Sequence, residues 1–172
     1  FCLSRGLGDV YKRQEYLSAG ASHVIVTSYV FKDGRISWEN LNKMKETVGK
    51  EKLVLDLSCR RKDGKYYIVT DRWQKFTDVT MTLDIMKELG SYCDEFLVHA
   101  VDVEGKACGV ETELASLLGE YKGNPVTYAG GVGSMKDIED LRKYGKDRLD
   151  VTVGSALDLF GGNISFSELI KL

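Results

Sequence analysis

Two glycine turns and a few polar residues at the ends of apolar runs are the parts of this sequence that could do chemistry. In Asn124-Pro125-Val126-Thr127-Tyr128-Ala129-Gly130-Gly131 an extended run ends in a glycine pair, and Ser134 with Asp137 can cap the helix that follows. Glycine lets the main chain turn sharply and offer its N–H groups with no side chain in the way. A helix N-terminus adds partial positive charge nearby, so the pattern suits a phosphate. A plain tight turn would use the same residues. Gly154-Ser155-Ala156 ends another apolar run one unit later and supplies a second possible anchor for an anion. Thr27-Ser28, Asp56, and His99 with Asp102 close three further runs, and small polar or acidic side chains are what an active face needs. Each has a plainer reading: Asp56 can cap the loop after its strand, and His99 can be a packed strand-end histidine.

The elements that must position these residues repeat one pattern, an apolar strand, a polar loop and a helix with apolar residues three or four apart. His23-Val24-Ile25-Val26 precedes a helix capped by Ser37 with Leu41, Met44 and Val48 inward. Leu53-Val54-Leu55-Asp56-Leu57 leads through a long connection to a helix whose inner face is read as Val79, Leu83, Met86 and Cys93. Phe96-Leu97-Val98-His99-Ala100 is followed by a helix around Leu114, Leu117, Leu118 and Tyr121. The strand before Gly130 is followed by Ile138, Leu141 and Tyr144, and Asp150-Val151-Thr152-Val153 by a short terminal helix from Phe166. Strands alternating with helices imply a parallel α/β sheet, either a (β/α) barrel or a doubly wound open sheet. In both, ligands meet the C-terminal ends of the strands. Phosphate-binding barrels use the loops after their last two strands, which would make these strands four to eight. A complete barrel has about 250 residues, so three units are expected to be missing.

The 172 residues carry a formal charge of -2, with 24 Lys and Arg dispersed among 26 Asp and Glu. That dispersal argues against a nucleic-acid partner. No apolar run approaches the roughly 20 residues that cross a bilayer. Cys2, Cys59, Cys93 and Cys108 form no C-x-x-C pair and no ligand-like group with His23 or His99, so neither a metal nor a disulfide framework is implied. Residues 1–14 do not share the later pattern, and Asp9-Val10-Tyr11-Lys12-Arg13-Gln14 looks like a translated transposon end, so residues 1–14 are read as a foreign lead. Residues 15–172 are then the C-terminal part of one barrel domain.

Taken in order, Gly20-Ala21-Ser22-His23-Val24-Ile25-Val26-Thr27-Ser28, Leu55-Asp56-Leu57-Ser58-Cys59-Arg60-Arg61, His99-Ala100-Val101-Asp102-Val103-Glu104-Gly105, Thr127-Tyr128-Ala129-Gly130-Gly131 and Gly154-Ser155-Ala156-Leu157-Asp158-Leu159-Phe160-Gly161-Gly162 resemble the eukaryotic branch of the HisA-type isomerases of histidine biosynthesis. The resemblance implies a (β/α)8 TIM barrel and an Amadori rearrangement of a phosphoribosylformimino aminoaldose to its aminoketose. It implies a bisphosphate small-molecule substrate, no cofactor, no membrane, a monomeric parent and a cytoplasmic setting, with organelle targeting left open. By the same match, Asp56 is the general acid for ring opening, and the base is a strand-one aspartate that this chain lacks. Gly130, Gly131, Gly154 and Ser155 match one phosphate site, and Thr27 and Ser28 match part of the other. An ordinary aspartate titrates at about pH 4, so an acid working near neutrality needs burial or a neighbouring like charge.

Arg60-Arg61-Lys62-Asp63-Gly64-Lys65-Tyr66-Tyr67-Ile68-Val69-Thr70 reads as a hairpin with an Asp-Gly turn, standing on the active face. The resemblance makes Arg60 a substrate contact and Trp73 a stacking platform for the imidazole carboxamide, with His99 and Asp102 also facing substrate. One departure is Ala100, where bacterial relatives carry a hydroxyl; Asp102 and Glu104 follow it. The sister HisF-type cyclase is the alternative, but its Ser-Ile-Asn after strand four and Ser-Ile-Asp-Arg-Asp-Gly after strand six are not found. A further alternative is a non-catalytic phosphate-binding fragment, since five strands cannot close an eight-strand barrel. The chain by itself is therefore expected to be inactive.

Overall fold

Short continuous apolar runs make the central strands here, and apolar residues three and four apart make the helices that cover them. The computed structural model describes residues 10–106 and 108–171. In chain order come α1 (Val10–Ser18), β1 (Val24–Val26), the short pair β2 (Phe31–Lys32) and β3 (Arg35–Ile36), and α2 (Trp38–Val48). Next are β4 (Leu53–Asp56), β5 (Cys59–Lys62), β6 (Lys65–Thr70), β7 (Lys75–Thr80) and α3 (Leu83–Leu89). The last are β8 (Glu95–His99), α4 (Thr112–Gly119), β9 (Val126–Ala129), α5 (Met135–Tyr144), β10 (Leu149–Thr152) and α6 (Phe166–Leu169). Of the lead set aside as foreign, residues 1–9 lie outside the described residues and 10–14 enter α1.

The main sheet has the order β1-β4-β8-β9-β10, and every neighbouring pair is parallel. Each strand lies beside the next one in the chain. That is the sequential order of barrel staves, whereas a doubly wound sheet reverses direction at a switch point. Among the described residues the sheet does not close, and β1 and β10 are its edges.

The two faces of the sheet follow strand alternation. Val24, Val26, Leu53, Leu55, Phe96, Val98, Val126 and Tyr128 pack under the helices, while Ile25, Val54, Leu97 and Ala129 form a separate cluster on the opposite face. Leu41, Met44 and Val48 of α2, Leu114 and Leu118 of α4, and Ile138 and Leu141 of α5 are the covering side chains. Burying one such Leu or Met contributes about 1.5–3 kcal/mol. The ends furthest from the candidate chemistry are fastened by side chains. His23 Nε2 lies 3.1 Å from Asp94 Oδ2, and Asn124 Nδ2 donates to the carbonyls of Gly90 (3.2 Å), Cys93 (2.8 Å) and Asp94 (3.2 Å).

The structure corrects the sequence reading in three places. Val79 belongs to β7, a third strand that extends the expected hairpin into an antiparallel sheet of order β5-β6-β7. Leu83 is exposed, and α3 instead buries Met86 and Leu89. Tyr144 is exposed at the end of α5, and Tyr121 lies beyond the end of α4.

Two buried thiols give a measurable consequence. Burial pushes Cys93 up from its ordinary 9.0 to about 12. Cys59 is also pushed up, first by burial and then by the carboxylates of Asp102, Glu111 and Asp56. Both thiols are expected to resist a disulfide reagent at pH 8 until the chain is denatured, whereas Cys108 is exposed. The folded chain holds these protons more tightly than the unfolded one. Their contribution to stability is therefore complete below about pH 9 and lost as pH rises through about 12. A melting series against pH, read with the thiol counts, checks both.

Candidate active site

Asp56 ends β4 with its carboxylate on the same face as Ile25 and Val54, since alternate residues of a strand share a face. It is buried, and both of its side-chain contacts fall on Oδ1. Ser58 Oγ donates to that oxygen at 2.8 Å, and His99 Nδ1 lies 3.4 Å from it. His99 ends β8, one strand across, and is buried as well. The Trp73 indole donates from Nε1 to Ser58 Oγ at 3.1 Å, and its ring lies 6.1 Å from the His99 ring, centroid to centroid. Trp73 reaches this place from the tip of the β6–β7 hairpin, where Asp71, Arg72 and Trp73 all adopt left-handed backbone, with φ of 51°, 57° and 69°.

The root of the same hairpin is held separately. Asp102, in the 3-10 turn after β8, accepts from Arg60 Nε at 2.9 Å and from the Arg61 backbone N–H at 2.8 Å. Its own carbonyl accepts from Lys106 Nζ. Arg60 and Asp102, both expected to face substrate, are thus partners of one another. Tyr66 donates to Glu111 Oε2 at 2.8 Å and Arg61 pairs with Glu113 at 2.7 Å, which ties β5 and β6 to the start of α4.

A cavity of about 570 Å³ opens on the face of the sheet that carries Ile25, Val54, Leu97 and Ala129. Among the residues that line it are His99, Gly130, Gly131, Gly154 and Ser155, together with Glu104. The expected residues therefore fall into two groups. Asp56, Arg60, Trp73 and Asp102 lie on the hairpin side, the glycine turns line the cavity, and His99 belongs to both. Thr27 and Ser28 follow the edge strand β1, half-buried and outside both groups.

The glycine turns differ from each other. Gly130 and Gly131 have φ of 113° and 77°, the left-handed side that glycine tolerates. A Cβ on Gly131 would stand 2.2 Å from the Gly109 carbonyl oxygen, and the Gly131 carbonyl accepts from Gly109 N at 3.2 Å. This glycine is thus needed for packing against the loop after β8. At Gly154 a Cβ would meet nothing within 4 Å. The cap of α5 forms as a reciprocal box in which Asp137 Oδ2 takes the Ser134 N–H (2.8 Å), and the same oxygen also takes the N–H of Gly133 (2.9 Å). Those donors are occupied, so the candidate anion donors are the turn residues before them. The segment after Gly154-Ser155 is a 3-10 turn, Asp158–Phe160.

Sequence reasoning missed Ser58. The signal was available, because Asp56 and Ser58 are two apart in an extended segment and so point to one side. The Glu95–Thr127 contact inside the cavity, 2.6 Å between Oε1 and Oγ1, was also missed.

Known proteins give an independent comparison. The chloroplastic phosphoribosyl imidazole-4-carboxamide isomerase of Medicago truncatula is 58% identical over 155 residues, which cover 90% of this chain and 50% of that protein. The correspondingly named isomerase of Yarrowia lipolytica is 42% identical over 167 residues, covering 92% of this chain and 63% of the relative. That of Neurospora crassa is 41% identical over 170 residues, covering 96% and 66%. The chain spans about half to two thirds of the length of these relatives. The family described as histidine biosynthesis protein matches residues 1–165, so sequence order, strand order and relatives agree: the chain belongs to the histidine biosynthesis protein family.

Proposed function

We propose that the full-length protein converts the phosphoribosylformimino aminoaldose to its aminoketose, acting as a monomer whose barrel includes these βα units as strands four to eight. The observation that carries this reading is a buried carboxylate at the end of β4, joined through His99 to a cavity walled by two glycine turns. The isomerase names of the relatives support it.

In this reading Asp56 gives its proton to the ribose ring oxygen as the C1–O bond breaks, opening the ring to an imine. A base from outside this chain takes the proton at C2, and the resulting enaminol rearranges to the ketone, so the step is a net isomerisation. Gly130, Gly131, Gly154 and Ser155 hold one phosphate, and Thr27 and Ser28 contribute to holding the other. Trp73 stacks on the imidazole carboxamide after leaving Ser58, and Arg60 reaches substrate by loosening its pairing with Asp102. His99 lies between acid and cavity, and is the residue best situated to touch both. The cytoplasm or an organelle is the setting.

Incubating the full-length protein with the aminoaldose tests this. Ketose is expected without ammonia, and this chain alone is expected to give none. A full-length protein inert to the aminoaldose but turning over the ketose with ammonia would be a cyclase and would end the isomerase reading.

A further inference from the structure

The buried hydroxyl of Ser58 is not accounted for by the resemblance, and its hydrogen bonds can have only one direction. An indole N–H is a donor only, so at 3.1 Å the Ser58 oxygen must accept from Trp73. A serine hydroxyl has a single proton, which is then free for Asp56 Oδ1 at 2.8 Å. His99 Nδ1 approaches the same carboxylate oxygen, so among the described residues the side-chain partners stand at Oδ1, and Oδ2 is the oxygen left to meet a ligand.

We propose that Ser58 is a positioning residue: it fixes which oxygen of Asp56 faces substrate and joins that carboxyl to the hairpin tip through Trp73. The proposal rests on the reading of Asp56 as the acid, but the hydrogen-bonded link does not. The geometry makes the link specific. The hairpin is anchored at its root by Asp102, Glu111 and Glu113 and at its tip by Ser58, and of these anchors Ser58 is the one bonded to the acid. Trp73 comes from a hairpin fifteen residues further along, so seating it reports on loop position, and Ser58 passes that position to Asp56. When the indole leaves to stack on a ligand, Ser58 keeps its bond to Oδ1 and gains a free lone pair. Asp56 thereby keeps its orientation while the loop moves.

The test compares S58T with S58V in the full-length protein, because the two differ by a hydroxyl in place of a methyl and packing largely cancels. S58T is expected to retain wild-type kcat. S58V is expected to lose about tenfold to hundredfold in kcat, the scale of one hydrogen bond to a charged group, with KM changed less than about threefold. The second readout needs no turnover: the Trp73 indole N–H resonance, assigned by its loss in W73F, is protected from solvent exchange in the wild type and in S58T and unprotected in S58V. Equal kcat in S58T and S58V, with both folded, overturns the positioning role. If the wild type lacks isomerase activity, the proposed reaction fails while the indole resonance still decides the link. Equal protection in S58T and S58V overturns it.

Discussion

Replacing Asp56 by Asn in the full-length protein is expected to lower kcat by about 10²- to 10⁴-fold, the range a positioned general acid contributes. The amide has nearly the shape of the carboxyl and can still accept from Ser58 at the oxygen that Asp56 uses now. What it cannot do is deliver a proton to a leaving ring oxygen. The melting temperature should therefore move little while turnover collapses. The pH–rate profile of the residual activity should lose the limb that reports the acid. Steady-state kinetics across pH, with a thermal melt beside them, make the measurement. Full activity in D56N would remove Asp56 from the chemistry and leave it as a cap for the loop after β4.

Gly131→Ala is expected to be the most damaging change at the proposed phosphate end, and Gly154→Ala is its control. At Gly131 the backbone has φ of 77°, and the added methyl would lie 2.2 Å from the Gly109 carbonyl oxygen and 2.8 Å from Val103 Cγ2. The left-handed backbone alone costs on the order of 1–3 kcal/mol for a residue with a side chain. The clashing carbonyl belongs to the residue whose own N–H donates to the Gly131 carbonyl at 3.2 Å, so making room for the methyl disturbs that contact between the loops. Thermal melts should thus show a clear loss of stability for G131A, with weaker binding of ribose 5-phosphate by calorimetry. At Gly154 an alanine methyl meets open space, so G154A should melt as the wild type does and change ligand affinity only. Equal melting of G131A and wild type would show that the two loops do not pack as described.

The elements that were legible in sequence are those whose signals are local. Ser37 before Leu41, Met44 and Val48 states both the start and the buried face of α2, and the structure has Ser37 accepting from Asn40 N. Asp63-Gly64 sits between two extended runs and turns the chain as a hairpin, with φ of 50° and 75°. β7 was obscured because Val79, Leu83 and Met86 happen to be four and three apart, which imitates a helical stripe. The true start was marked by Thr82, which accepts from Ile85 N.

In the site, a strand-end carboxylate and glycine turns can be found by position, but their partners cannot. Arg60 meets Asp102 across 42 residues of sequence, and Trp73 meets Ser58 through a folded hairpin. Asp137 was legible as a cap, yet its effect on the candidate anion site runs opposite to the first expectation. It occupies N–H groups that the helix end would otherwise have offered.

The three left-handed residues at the hairpin tip carry a consequence for timing. Outside glycine such backbone costs roughly 1–2 kcal/mol per residue, so Asp71, Arg72 and Trp73 curl against their own preference while the indole sits on Ser58. The tip is held against the strain of its own backbone, and the indole hydrogen bond to Ser58 and the packing beside the His99 ring are among the contacts that keep it seated. Its dwell time in the seated state is then set by those contacts working against the strain of the tip. A ligand ring that takes up the indole would have that strain on its side.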